Sequence, residues 1–329
     1  MNRPASLRVV QKSDRIPLRP AVTDFLHATR RRRNVMSQKG YAQRLYCFAD
    51  WADLAGISLD AVDSGVVDQF LDMLVATHTP KKKGATQLSS ATLSGFCTVI
   101  KTFLIWASKD RAIYGEFVEE RTARDIPRPR IAFIIIETFT PEEVRALLVA
   151  CDQEENERQK ARAKAVVHLL LGTGIRAREC CNLTLADISL RDDGPSFIKV
   201  VQGKGEKDRK IPLGPITRRK LAYYVDTYRK DAQASDSLFT NRNERGKIST
   251  ATMEQLFERL AARAGITTKR VSPHSMRHTF SYNSIQSGMS VYALSKLLGH
   301  SSVVMTERYC RALGADFDAL AEMVAGQLR

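Results

Sequence analysis

One β-hairpin in a largely helical chain limits the folds open to this sequence. Phe197–Gln202 is β-like, Gly203-Lys204-Gly205-Glu206-Lys207-Asp208 turns the chain, and Arg209–Leu213 returns. Two short strands around a glycine-containing turn pair as neighbours. Helical periodicity surrounds them. Ala161–Leu171 reads as a helix ending at Gly172-Thr173-Gly174, and Thr252–Ala264, His278–Gln286 and Tyr292–Leu298 follow later. Thr140-Pro141-Glu142-Glu143 is a helix start: Thr140 caps, Pro141 suits the first turn, and Glu143 completes a capping box. The second half is therefore mixed α+β, mainly α with a small β-sheet.

The first half carries only the helical period. Tyr41, Leu45, Phe48, Ala49 and Ala52 recur every three or four residues, and Val66 to Val75 forms a second apolar stripe. Leu88 to Trp106 makes another helix, with Leu93, Phe96, Ile100, Phe103 and Leu104 on its buried side, after a loop at His78–Gln87. Pro127 and Pro129 disfavour helix at themselves and at the residue before, so Arg121–Ile131 reads as a linker. The expected organisation is a basic arm at 1–19, a helical domain at 20–120, a linker at 121–138 and a mixed domain at 139–329.

Charge points to the class of partner. The 329 residues carry 51 Lys and Arg against 36 Asp and Glu, a net charge of +15. Lys and Arg displace condensed counterions from phosphates, so nucleic acid is the expected polyanion. Two basic runs, Arg30, Arg31, Arg32 and Arg33, then Lys81, Lys82 and Lys83, are candidates for that contact; a solvated face is the plain alternative. No apolar run approaches a membrane span, and the first twenty residues lack the apolar core of a signal peptide, so a cytoplasmic protein is expected. None of the six cysteines forms a CxxC pair, which argues for free thiols and against a zinc or redox site.

Four clusters in the second half carry reactive groups. Thr173-Gly174-Ile175-Arg176-Ala177-Arg178-Glu179 puts an arginine after a glycine turn with a glutamate one helical turn on. Lys204 sits at the hairpin tip, His274-Ser275-Met276-Arg277-His278 follows, and Leu298-Gly299-His300-Ser301-Ser302 precedes Tyr309. Cleaving a phosphodiester needs such a set. Arginine forks stabilise the oxygens that gain charge, a nucleophile attacks, and a donor protonates the leaving oxygen. Each residue also has a plain reading. His274 and His278 four apart suit zinc, yet lack the glutamate of HExxH and a third ligand. Arg176 and Glu179 alone would be a surface ion pair worth little.

Taken together and in order, TGIRARE, GKGEKDRKIPL, HSMRHT, LGHSS and a tyrosine nine residues after His300 resemble the tyrosine recombinase, or phage integrase, family. The resemblance is close from Thr140 onward and general before it, where the helical half resembles the family's core-binding domain. It implies an all-α core-binding domain followed by a catalytic domain. It implies that Arg176 and Arg277 clamp the scissile phosphate, Lys204 protonates the leaving 5′ oxygen, His274 assists proton transfer, and His300 hydrogen-bonds the phosphate. Tyr309 would attack to give a 3′-phosphotyrosyl bond, with Glu179 and His278 in supporting roles. Met276 and Met305 depart mildly from the family pattern and remove no reactive group. The implied partners are double-stranded DNA bearing recombination sites and three further copies of the chain, with a Holliday junction between strand exchanges. The C-terminal stripe of Phe317, Leu320, Met323 and Val324 would serve assembly. No cofactor or metal is implied. A type IB topoisomerase and a non-catalytic DNA binder are the competing readings.

Overall fold

A computed structural model describes residues 16–30, 35–77, 88–110, 113–127, 129, 137–191, 194–201, 208–241, 243, 246–300 and 306. The chain forms two compact units, Met1–Phe133 and Ile134–Arg329.

The first unit is all helix: α1 (Leu18–Thr29), α2 (Val35–Leu54), α3 (Ser64–Thr77), α4 (Ser90–Lys109) and α5 (Glu120–Asp125). Ser89 caps α4 by accepting the Thr92 amide. The expected stripes turn inward: Leu45, Phe48, Ala49 and Ala52 from α2, Val67, Phe70, Leu71 and Leu74 from α3, and Ile100, Phe103 and Leu104 from α4 are buried. Edge-to-face aromatic pairs, such as Phe25 on Phe103 at 5.7 Å and Phe48 on Phe70 at 5.0 Å, fill this core. By length and composition α4 could cross a membrane, which corrects the expectation that no apolar run approaches a span. In this fold it is a core helix, with Cys97, Val99, Ile100, Phe103, Leu104 and Ala107 buried among its neighbours.

The structure differs from the linker reading at Arg121–Asp125. Those residues are helical in α5, which buries Ala123 and ends before Pro127 with Ile126 extended. Its carbonyl end is held by Lys101 on α4, whose Nζ donates to the Arg124 and Ile126 carbonyls at 3.0 and 2.7 Å. The proline rule located the helix stop; the tertiary contact from Lys101 was invisible to it. Within the basic runs only Arg30 is described, exposed at the end of α1. Arg31, Arg32, Arg33, Lys81, Lys82 and Lys83 lie outside the described residues, as does most of the basic arm.

The second unit runs α6 (Pro141–Ala150), α7 (Glu157–Thr173), α8 (Ala177–Asn182), β1 (Ile188–Ser189), β2 (Phe197–Val200), β3 (Arg209–Pro212), α9 (Pro215–Tyr228), α10 (Thr250–Arg263), α11 (Pro273–Gln286) and α12 (Val291–Leu298). The capping box at Thr140 and Glu143 forms as expected. The hairpin pairs in antiparallel register, Ile198 opposite Ile211 and Val200 opposite Arg209, and β1 adds a third strand on its other edge. Ile198, Val200 and Ile211 face the core, while Lys199 and Lys210 point to solvent, where Asp208 and the Phe197 ring receive them. The two-residue β1 is too short to leave a period, and α9 was not read from the sequence. α7 is the central helix, packed on α9 and α11. A buried carboxylate braces the far side: Glu154, 2% exposed, accepts from Arg259 and Arg263 on α10. Burial raises its pKa, but the two guanidiniums prevail and hold it below the usual carboxylate value.

Candidate active site

The site is built on the carboxyl ends of two helices. α7 ends at Gly174, whose φ of 63° is left-handed, and α12 ends at Gly299 with φ 64°. Helix ends leave carbonyls without helical partners and carry the negative pole of the helix dipole. Here three arginines take up those carbonyls in succession. Arg209 donates from Nε to the Leu297 carbonyl at 2.8 Å, Arg277 from Nη2 to Leu298 at 2.9 Å, and Arg176 from Nη2 to Gly299 at 3.1 Å. Arg277 also reaches the Gly174 carbonyl from Nη1 at 2.7 Å. Three guanidiniums from β3, α11 and the start of α8 are thus gathered on one helix end.

Glu179 is the counter-charge. Its carboxylate accepts both forks of Arg209, at 3.1 and 2.8 Å, the Arg176 side chain at 2.9 Å and the Arg176 amide at 2.8 Å. Its side chain is 13% exposed and that of Arg209 10%, so this is no ordinary surface pair. Burial pushes the Glu179 carboxyl up, but the Arg209 hydrogen bonds, the Arg176 amide and both charges outweigh it and hold the group ionised. Arg277 is 3% exposed. One carboxylate against three guanidiniums leaves a surplus of positive charge suited to an oxyanion such as a phosphate.

The histidines lie in this field. His300 Nε2 is 3.0 Å from Arg277 Nη2, and Nδ1 is 2.7 Å from the Thr306 hydroxyl. An arginine has no acceptor, so Nε2 accepts and the ring proton sits on Nδ1, directed at the buried Thr306. Burial first, then Arg277, Arg176 and Arg209, push the His300 pKa down to about 4. On α11, His274 and His278 meet edge to face with ring centroids 4.3 Å apart. Burial, then His274 and Arg277, push His278 down to about 4. His274 is lowered by partial desolvation and by the Arg277, Arg176 and Arg270 charges. All three imidazoles are neutral at pH 7. Among the described residues no group of three His, Cys, Asp or Glu side chains is placed to hold a metal.

The unfolded chain protonates these histidines near the ordinary value of 6.5, whereas His278 and His300 resist until about 4. Unfolding near pH 5 should therefore take up about two protons from this pair. Stability is full above pH 6.5 and falls as the pH drops toward 4. Urea unfolding at pH 7, 6, 5 and 4.5 checks this; a flat profile would contradict the neutral assignment.

Gly174 is required twice over. A Cβ there would clash with the Phe280 ring, and the positive φ disfavours any L side chain. Gly174→Ala should cost about 2–4 kcal/mol of stability, read as a fall in the unfolding midpoint.

Sequence reasoning thus named Arg176, Glu179, His274, Arg277, His278 and His300, and the structure gathers these around α8, α11 and the end of α12. Lys204 and Tyr309 lie outside the described residues, as do Met305 and the C-terminal stripe. Two participants were missed. Arg209 stood in the quoted hairpin motif without a role, and its return to the base of the hairpin opposite Val200 was the available signal. Thr306 gave no signal of its own.

Comparison with known proteins agrees with this architecture. The phage integrase family matches residues 137–315, more than half of the chain. The tyrosine recombinase of Pseudothermotoga lettingae is 27% identical over 305 residues, 92% of this chain and 96% of that protein. Tyrosine recombinase XerC of Corynebacterium efficiens is 30% identical over 225 residues, 67% of each. The integrase of transposon Tn1549, solved in complex with transposon right end DNA, shares the fold with a TM-score of 0.68 at 22% identity, covering 92% of this chain and 99% of that one. Motif order, fold and family match converge: the chain belongs to the phage integrase family, as a tyrosine site-specific recombinase.

Proposed function

We propose that this recombinase cuts and rejoins double-stranded DNA at specific sites, with Tyr309 as nucleophile. The observation that carries the reading is the arginine cluster on the end of α12: Arg176 and Arg277 converge there with His300. The Tyr309 oxygen attacks phosphorus, the 5′ oxygen leaves, and a 3′-phosphotyrosyl bond stores the phosphodiester energy for religation. Arg176 and Arg277 hold the non-bridging oxygens as charge builds on them. Lys204, five residues before Arg209 on the hairpin, donates the proton to the leaving oxygen. His274, neutral at pH 7, takes the proton from the Tyr309 hydroxyl. An arriving phosphate offsets the cations around His300 and raises its pKa, turning Nε2 from acceptor to donor.

The 20–120 segment would serve as core-binding domain and 139–329 as catalytic domain, joined through 121–138. Arg30, Arg31, Arg32, Arg33, Lys81, Lys82 and Lys83 would bind phosphates. Four copies would assemble on two sites, exchange strands in pairs through a Holliday junction, and act in the cytoplasm on the nucleoid. Support for a DNA partner comes from the net charge of +15 and from the DNA held by the Tn1549 integrase.

The test is covalent trapping. The full chain is mixed with nicked duplexes drawn from the replicon that encodes it, then denatured. A protein–DNA band that survives denaturation, with the modified peptide containing Tyr309, is the expected result. Clear binding with no band on any such duplex would replace this reading with a non-catalytic DNA binder. An adduct that relaxes supercoils without needing a pair of sites would favour a topoisomerase.

A further inference from the structure

One well-buried cation of the site, Arg209, has no role in the chemistry above. The Arg209 side chain donates from Nε to the Leu297 carbonyl and from both Nη atoms to Glu179. Arg209 is the first residue of β3, at the root of the hairpin, and follows Lys204 by five residues in the sequence. Leu297 belongs to the last turn of α12, which also receives Arg277 and, one residue on, Arg176. Glu179 in turn holds the Arg176 backbone and side chain. A single planar group therefore links hairpin, α12 and α8. We infer that Arg209 is a positioning residue for strand cleavage, locking the hairpin root to the end of α12 and fixing through Glu179 where Arg176 presents its fork.

The geometry suits that task better than it suits direct contact with a phosphate. Both Nη atoms of Arg209 face the Glu179 carboxylate, so its charge is already paired within the protein, whereas Arg277 gives its Nη atoms to neutral carbonyls. A lysine at the same place keeps the charge but offers no planar fork, so it cannot span a bidentate carboxylate and a carbonyl together. A clamp displaced by about an ångström costs on the order of 100-fold in rate. The inference rests on the proposed cleavage reaction, since it concerns the same site.

Two readouts on the full chain separate it from that reading. The first is the rate of covalent adduct formation on the nicked duplex, set beside duplex affinity. The second is the His300 titration by NMR without DNA, where Arg277, Arg176 and Arg209 are the charges acting on the ring. Arg209→Gln should slow adduct formation about 100-fold with affinity little changed, and should move the His300 midpoint upward because one of three cations is gone. Arg209→Lys should leave the His300 midpoint near wild type yet stay slow. Adduct formation within about threefold of wild type in both variants overturns the inference, as does a loss that merely follows affinity. If both variants unfold, the role is structural and the inference fails. If the wild type forms no adduct on any duplex, the cleavage reading fails instead. The His300 midpoint then tests the placement from which the role is argued: an upward move in Arg209→Gln supports the Arg209 charge lying at the ring, and no move overturns it.

Discussion

Tyr309→Phe should abolish the covalent adduct, a loss of at least about 10⁴-fold, while duplex affinity stays close to wild type. The change removes one oxygen and keeps the ring. Affinity for DNA rests on lysine and arginine contacts to phosphate, which the substitution leaves alone. The proposed chemistry rests on an oxygen that must lose its proton near neutral pH although a phenol ordinarily titrates near 10. In the proposed reaction a neutral imidazole at His274 and the guanidinium cluster would supply a proton acceptor and a field that favours phenolate. Gel shift and denaturing gel on the same nicked duplex check the two halves of the prediction. If the adduct survives in the Phe variant, another hydroxyl is the nucleophile, and Tyr282 on α11 and Tyr292 on α12, tyrosines on two helices that carry the site, are to be mapped next. If affinity collapses with the adduct, Tyr309 anchors the complex and its chemical role is not isolated.

Much of this site was legible in the chain because its reactive groups sit in short, self-contained turns. TGIRARE encodes a helix stop, a left-handed glycine and a new helix start within seven residues, so Arg176 and Glu179 were placed by local rules alone. The same holds for the capping box at Thr140 and the hairpin at Phe197–Pro212. What stayed hidden is long-range. The Arg277 bond to Gly174 crosses 103 residues, and the Arg209 bond to Leu297 crosses 88. No period or motif announces that three separate arginines will share the carbonyls of one helix end. For the same reason Arg176–Glu179 looked like a weak surface pair until Arg209 closed over it. Helix α5 was hidden in a milder way: its sequence ERTARD has no apolar stripe, and it is held by a lysine from α4.

Arg277 is where clamp and scaffold meet, and there the second large effect is expected. Arg277→Lys should lower adduct formation about 10³-fold while duplex affinity falls by less than about tenfold. The guanidinium reaches the Gly174 carbonyl, the Leu298 carbonyl and His300 Nε2 from a side chain that is 3% exposed. A lysine ammonium keeps the positive charge, so the long-range attraction to DNA survives. It cannot bridge two helix ends and also face a phosphate with a planar fork. Arg277→Ala would confuse the test, because two carbonyls would lose their donor in a dry site at about 1–3 kcal/mol each. Thermal unfolding separates the cases: the Lys variant, which can still serve one carbonyl, should lose less stability than the Ala variant, which serves neither. A Lys variant that cleaves within tenfold of wild type would remove Arg277 from the clamp and leave Arg176 to hold the phosphate with His300. In that event the carbonyl bonds to Gly174 and Leu298 would be its whole role, a strut between α7 and α12 rather than a catalytic group.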